Sequence, residues 1–288
     1  MASYTIFTDS ACDIPAAILL QWNVSCISLT FRFNDRDEEY ADGDIASGEF
    51  YDRMRRGGVA KTSAVNAETF KTAFAKELEA GRDVLYLGFS SGLSTTYNSA
   101  RMAAQELSEQ YPERKVLTVD SLSASAGFGM LVALAAEKRD EGADIDTLVD
   151  YVHSLIPHLC HWFTVDDLVY LKRGGRVSPT VAFVGNLLGI KPVLHVDDEG
   201  HLISMSKVRG RRAAIVALAQ KYGELHDPSA SDRVFISHGD CESDAKLLKQ
   251  IVEETYGARV DIITPVGTVI GAHSGPGTLA IFFLATKR

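Results

Sequence analysis

Cysteine is scarce in this chain of 288 residues, and the four present, Cys12, Cys26, Cys160 and Cys241, form no C-x-x-C pair. Zinc-ribbon and thioredoxin-type chemistry therefore have no support, and so sparse a set fits free thiols of a reducing compartment better than a disulfide framework. Positive charge is also short: 29 Lys and Arg stand against 38 Asp and Glu, a net charge of −9. Such a chain has little global attraction for nucleic acid, and membrane contact is expected to be transient at most. An anionic ligand has to be captured by a local seat, against the overall field. Long apolar runs are missing too. The longest mainly apolar stretch, 124–136, is interrupted by glycine and is too short to span a bilayer. The opening residues MASYTIFTDS lack the basic n-region of a secretory signal. No internal repeat, low-complexity tract or long linker is visible. A cytoplasmic location is expected.

What the chain does have is ordinary globular material, 46% hydrophobic and 23% charged, with a length that suggests about two domains. In the first half, strand-like runs at 4–8, 24–33, 83–89 and 116–120 alternate with helix-like segments at 15–22, 49–56, 67–80, 94–111, 123–141 and 145–155. Phe70, Ala73, Phe74 and Leu78 give one helix an apolar face that Gly81 ends. The run DVLYLGF at 83–89 is continuously apolar, as in a strand buried on both faces. Strands alternating with helices imply parallel pairing by crossover. Residues 34–48 read as a polar, acidic loop. The second half reads as strands at 161–165, 191–196, 202–208, 233–238, 260–264 and 277–284, with helices at 166–172, 181–188, 209–222 and 243–256. Asp197-Asp198-Glu199-Gly200 between two of these strands is a hairpin signal, and a hairpin beside βαβ units implies a mixed sheet. The expected fold class is α/β in two domains, 1–158 and 159–288, the first with a parallel sheet and the second with a mixed one.

Gly88-Phe89-Ser90-Ser91-Gly92 matches G-x-S-x-G between a strand and a helix, the setting of a nucleophile elbow. With His238 or His273 as base, Ser90 would be the nucleophile of a serine hydrolase. Against this, no H-G-G-type oxyanion loop lies upstream, and 34–58 is too polar to supply the further strands such a fold needs. The same segment reads equally as an anion seat. Ser90, Ser91, Ser94, Thr95 and Thr96 crowd a helix start, whose unpaired N–H groups and partial positive charge favour a carboxylate or phosphate. Ser94 is expected to cap the helix; the other hydroxyls exceed what a cap needs. Thr8-Asp9-Ser10, Lys61-Thr62-Ser63 and Asp120-Ser121 read as further polar loops. Loops at strand ends of a parallel sheet converge on one edge, although each alone is also the pattern of an Asx or ST turn.

Between residues 172 and 212 the charge reverses, with eight Lys and Arg against three Asp and Glu. That segment is either a solvated basic face or a docking surface for an acidic or phosphate-bearing partner. His273, in the glycine-rich His273-Ser274-Gly275-Pro276-Gly277, is either structural or a donor to an anion bound between domains. His153, His158 and His161 near Cys160 lack acidic company, so no metal site is expected.

Taken in order, several segments resemble the DegV family. They are Thr8-Asp9-Ser10, Asp42-Gly43-Asp44-Ile45 ahead of Phe50-Tyr51, Lys61-Thr62-Ser63, Ser90-Ser91-Gly92-Leu93-Ser94 leading to Thr96-Tyr97, and Asp120-Ser121. The most specific stretch runs from Asp167-Leu168-Val169-Tyr170-Leu171 through Lys172-Arg173-Gly174-Gly175-Arg176-Val177-Ser178. Lys191-Pro192-Val193-Leu194, Lys207-Val208-Arg209-Gly210 and the His273 segment follow. The resemblance spans nearly the whole chain. It implies a fold related to one part of dihydroxyacetone kinase, a three-layer α/β/α domain and then a mixed-sheet α/β domain, with a long-chain fatty acid in a tunnel between them. It implies that Thr62 and Ser91 hold the carboxylate, with His273 beside it and Ser63 and Ser94 in support. Arg173, Arg176 and Arg209 would face a partner or the forming acyl phosphate. No cofactor and no catalytic residue of its own is implied: an ATP-binding fatty acid kinase subunit phosphorylates the presented acid, and the acyl phosphate enters phospholipid synthesis. Thr95 stands where the family usually has Gly, and Ala64-Val65 where it usually has Gln-Pro. A serine hydrolase using Ser90 and a sensor of a non-lipid small molecule stay as alternatives.

Overall fold

Alternating apolar and turn-forming segments fold as the periodicity requires. The structure, a computed structural model, describes residues 4–177, 189–227, 229 and 231–288; the helix expected at 181–188 lies outside the described residues. In chain order, β1 (Tyr4–Asp9) passes through a 3-10 turn (Ser10–Cys12) to α1 (Ala16–Gln21), β2 (Val24–Ile27), β3 (Thr30–Phe33), β4 (Tyr40–Ala41), α2 (Ser47–Arg55) and β5 (Ala60–Ser63). Next come α3 (Ala67–Glu79), β6 (Asp83–Gly88), α4 (Thr96–Gln110), β7 (Val116–Asp120), α5 (Ser125–Asp140) and α6 (Ile145–Leu155). The remainder is β8 (Leu159–Thr164), α7 (Val169–Arg173), β9 (Ile190–Val196), β10 (Leu202–Arg209), α8 (Arg211–Leu225), β11 (Arg233–His238), α9 (Glu242–Tyr256), β12 (Arg259–Pro265), α10 (Thr268–Ser274) and β13 (Leu279–Leu284).

Four strands form an all-parallel sheet in the order β2-β1-β6-β7. Six form a mixed sheet in the order β10-β9-β8-β13-β11-β12, antiparallel throughout except for the β11–β12 pair. The fold is thus α/β with one parallel and one mixed sheet, as expected. A third, small antiparallel sheet, β4-β3-β5, was not expected. It takes its middle strand from the second half of the single β-rich run at 24–33: the chain breaks at Ser28–Leu29, where the Leu29 N–H donates to Ser10 Oγ at 3.1 Å. It also turns Lys61-Thr62-Ser63 from a polar loop into β5 and gives the acidic loop at 34–48 a short strand, β4.

Side chains alternate across a strand, and that alternation sets the layers. On one face of the parallel sheet, Phe7 and Tyr86 pack their rings on Phe70 and Phe74 of α3. On the mixed sheet, Phe163, Phe235, Ala280 and Phe282 join the same core as the parallel sheet and α5, whereas Trp162, Val234, Ile236, Leu279, Ile281 and Phe283 pack a separate core with α8 and α9. Helix α5 lies between the two sheets, touching β8, β11 and β13. It is buried around most of its circumference, from Ser125 to Ala136 with one exception. Gly127 makes that approach possible, because a Cβ there would strike the Phe282 ring. No helix among the described residues is long and apolar enough to cross a membrane.

Helix α10 is the other unexpected element, since 273–277 read only as a turn. It packs on α2, α7, β3 and β5, and its start is clamped by side chains distant in sequence. Asp42 Oδ1 accepts from Thr268 N and Oγ1 at 2.9 and 2.7 Å, Asp13 Oδ1 from Gly267 N at 2.9 Å, and Val266 O from Tyr51 Oη at 2.9 Å.

Candidate functional site

The loop after β6 is fixed from two sides. Asp9, the last residue of β1, is buried; its Oδ2 accepts from Tyr86 Oη at 2.6 Å and Phe89 N at 3.0 Å, and its Oδ1 from Ala11 N at 3.1 Å. Burial pushes its carboxyl up to about 6, against the pull of those hydrogen bonds. Asp120, ending β7, accepts from Ser91 N at 3.1 Å. Ser94 Oγ then accepts from Thr96 N at 3.2 Å and pairs with Thr96 Oγ1 at 2.9 Å, which serves the first turn of α4. The N-cap position itself falls to Thr95, whose side chain makes no capping bond, so the cap expected of Ser94 is displaced: Ser94 lies one residue earlier and holds the first helical N–H from there.

Beyond this loop lies a cavity of about 460 Å³ between the parallel-sheet edge and the α5-facing side of the mixed sheet, within the range of small-molecule sites. Helix α10 forms one wall, presenting Val269, Ile270 and His273 at the spacing of one helical face, with Val266 lining the cavity just ahead of its N-cap. Leu29, Phe89, Leu93, Phe163 and Leu171 are among the other apolar residues that line it.

At one end Thr62 Oγ1 and His273 Nε2 share a hydrogen bond of 2.8 Å. His273 Nδ1 is buried with no partner among the described residues. Burial, with help from the nearby Arg176 charge, holds the imidazole down to about 4, so it is neutral at pH 7. The ring fits because residue 174 is glycine: a Cβ there would collide with Nδ1. Arg176 is half-buried, its Nε donating to Leu93 O at 3.2 Å and its Nη1 to Gly174 O. Among the described residues it is the one Lys or Arg lining the cavity.

Six of the residues singled out from sequence, Thr62, Ser63, Ser91, Ser94, Arg176 and His273, line this one cavity. Ser91 is exposed, as befits a place at the mouth. Thr95 and Ala64, two of the departures from the family pattern, line it as well, whereas Val65 is in the core. Arg173 and Arg209 are elsewhere: both are exposed, Arg173 over the Tyr170 ring at 5.7 Å. Arg176 therefore parts company with the two arginines it was grouped with. The KRGGR pattern carries no signal for which arginine turns inward; the two glycines and the tight turn after α7 decide it.

Ser90 is not exposed as an elbow nucleophile must be. It is fully buried, donates to Gly200 O at 2.9 Å and accepts from Gly92 N at 3.2 Å. Neither candidate base bonds to it: His238 Nδ1 accepts from Cys241 N at 3.3 Å, and His273 is engaged with Thr62. The Thr62–His273 contact itself has the outline of an activated nucleophile. Its imidazole, however, is a weak base near 4, and no third group among the described residues orients Nδ1. The arrangement suits binding: a hydroxyl, a neutral imidazole and a guanidinium line one cavity beside an apolar wall.

Sequence reasoning missed four polar cavity residues, His161, Ser125, Ser237 and Thr278. His161 was weighed only as a metal ligand, and the serines lie in apolar segments with no local motif. The spacing of Val269, Ile270 and His273 was the one linear signal available for α10.

A family profile described as uncharacterised protein, DegV family, matches residues 3–286. A DegV domain-containing protein of Clostridium perfringens is 39% identical over 289 residues, which cover 100% of this chain and 99% of that one. A solved structure described as a DegV lipid binding protein from Thermotoga maritima matches with a TM-score of 0.86 at 34% identity, covering 100% of each chain. Another, described by fatty acid binding of a DegV family protein from Thermus thermophilus, matches with a TM-score of 0.87 at 30% identity over 98% of this chain and 99% of that one.

Proposed function

Because this chain belongs to the DegV family, we propose that it binds a long-chain fatty acid in the cavity between its two main sheets and presents the carboxylate to an ATP-binding acyl kinase. The observation that carries this reading is the Thr62–His273 pair with Arg176 at one end of a mainly apolar cavity. A carboxylate lifted from water needs charge-assisted partners to offset its desolvation, and these three side chains supply them, with Ser91, Ser63 and Ser94 around the mouth. The chain beyond is driven in by hydrocarbon burial. At about 0.8 kcal/mol per methylene, about 14 methylenes give roughly 11 kcal/mol before association costs. Residues 1–158 and 159–288 would be the two domains flanking the ligand.

Mass spectrometry of ligand released from the purified, denatured protein tests the reading. An acyl chain is expected, with reuptake by delipidated protein; absence of both overturns it, and labelling of Ser90 by an active-site serine probe would favour a hydrolase. For the hand-off, Arg173 and Arg209 on the exposed basic segment would meet the kinase in the cytoplasm, and the acyl phosphate formed there would feed phospholipid synthesis. Arg173→Glu is expected to impair acyl phosphate formation with a partner kinase and to spare lipid binding; loss of both removes that role.

A further inference from the structure

The rows of the mixed sheet mark how far the cavity reaches. Thr278 lines it, and its Oγ1 donates at 2.8 Å to the carbonyl of Gly275, two residues past His273. Side chains two apart on a strand share a face, so Thr278, Ala280 and Phe282 follow one another on the side that meets α5. From Thr278 to Phe282 the extended chain rises about 13 Å. Ala280 lines the cavity, as do its cross-strand neighbours Phe163 on β8 and Ser237 on β11. The next row along is His161, Phe282, Phe235. Of these only His161 lines the cavity, while Phe282 and Phe235 are fully buried. The opposite wall stops at the same level. Ala124 and Ser125, where α5 starts, line the cavity, and no later described residue of α5 does. A Cβ at Gly127 would lie 2.4 Å from Phe282 Cδ1. The Phe282 ring therefore fills the space between sheet and helix just where the lining ends. It also meets the His161 ring edge-on, with centroids 4.5 Å apart, which backs the β8 side.

We propose that Phe282 is the stop that sets the longest acyl chain the cavity holds, and that Ala280, the small residue in front of it, keeps the last stretch open. The inference rests on the fatty-acid reading of the cavity. With the carboxylate held at the Thr62–His273 end, added length runs away from it, toward Phe282. A methylene that falls short of the ring is buried against apolar walls and is worth about fourfold in affinity. One added after contact has to displace a ring seated on Gly127 and His161, and close-packed interiors resist such insertion. Affinity along a saturated series should therefore climb and then break. A larger side chain at 280 would occupy the space the end of the acyl chain takes.

Delipidated protein titrated with saturated acids of increasing length, from decanoic to docosanoic acid, provides the test. Ala280→Leu should move the break to shorter acids and Phe282→Ala to longer ones, whereas Thr62→Ala should weaken every acid and leave the break in place. Phe282→Ala empties part of the core and can cost the fold; Ala280→Leu fills open space and decides the matter if the first variant does not fold. The inference is overturned if affinity climbs through the whole series without a break, or if the break stays at the same acid in Ala280→Leu or in a folded Phe282→Ala. Failure of every acid to bind would instead sink the fatty-acid reading itself, an outcome the short acids distinguish, since they end before Phe282.

Discussion

His273 is held neutral beside the position expected for a negative charge, so Arg176 is left to supply the countercharge. Two expectations follow at this scale. Followed by NMR, the His273 imidazole should titrate near 4 in the delipidated protein and higher with acid bound, because a neighbouring carboxylate favours the imidazolium; a midpoint near the ordinary histidine value without ligand would contradict its burial. Thr62→Ala removes one hydrogen bond and should cost about tenfold in affinity for the acid, whereas Arg176→Met removes a charge and should cost about a hundredfold. Calorimetric titration separates the two, and equal losses would demote Arg176. At this scale the sequence was informative where a motif travels as a block: Thr62, Ser91 and His273, each singled out within a motif, all line the one cavity. It was mute where a turn decides direction, as for Arg173 and Arg176 three residues apart, and where a single serine such as Ser237 hides in a strand.

Helix α6 (Ile145–Leu155) shows what makes an element legible: an Asp144 side chain accepting from Thr147 N at 2.8 Å and one clear apolar face. The expected bounds, 145–155, agree with the structure. Helix α10 shows the opposite. Seven residues long, flanked by Gly267 and Gly275, it is too short to hold itself together and depends on Asp42, Asp13 and Tyr51, none of which a local reading connects to it. Likewise β5 is a polar tetrapeptide that becomes a strand only because β3 lies beside it. Helix α5 was located but not understood, since its enclosure by two sheets leaves no polar face for periodicity to detect. That enclosure gives a prediction with a definite sign. On propensity alone Gly127→Ala should stabilise a helix by about 1 kcal/mol. Because the new methyl meets the buried Phe282 ring, overpacking of about 1–3 kcal/mol should prevail. A lower urea midpoint at unchanged slope is expected; a higher one would mean the sheets can part at no cost.

Across the whole molecule, buried titratable groups pull in opposite directions. Burial holds His195 and His273 at about 4 and His161 well below its ordinary value. Between pH 6.5 and 4 the unfolded chain therefore takes up protons that the folded one refuses, and these groups lose stability as pH falls, by about 1.4 kcal/mol per pH unit each. Asp9, pushed up to about 6, and Asp13 and Asp42, also raised, do the reverse: they contribute stability at low pH that is lost as pH rises through their folded values. The two sets partly cancel. His195→Gln should thus flatten or invert the decline on acidification measured by urea titration; an unaltered curve would remove His195 from this balance. The general α/β plan, with one parallel and one mixed sheet, was visible in the alternation of elements, whereas the third sheet and the shared core were not. The shared core also bears on synthesis. A ribosome finishes α5 when 144 residues are still needed to reach the end of β13, about 7–30 s of elongation. For that interval the outer side of α5 has no sheet to cover it. Fragment 1–158 made alone should therefore aggregate, or bind a hydrophobic dye strongly, and adding fragment 159–288 should suppress this; a soluble, dye-silent 1–158 would mean that α5 finds other cover until its second sheet arrives.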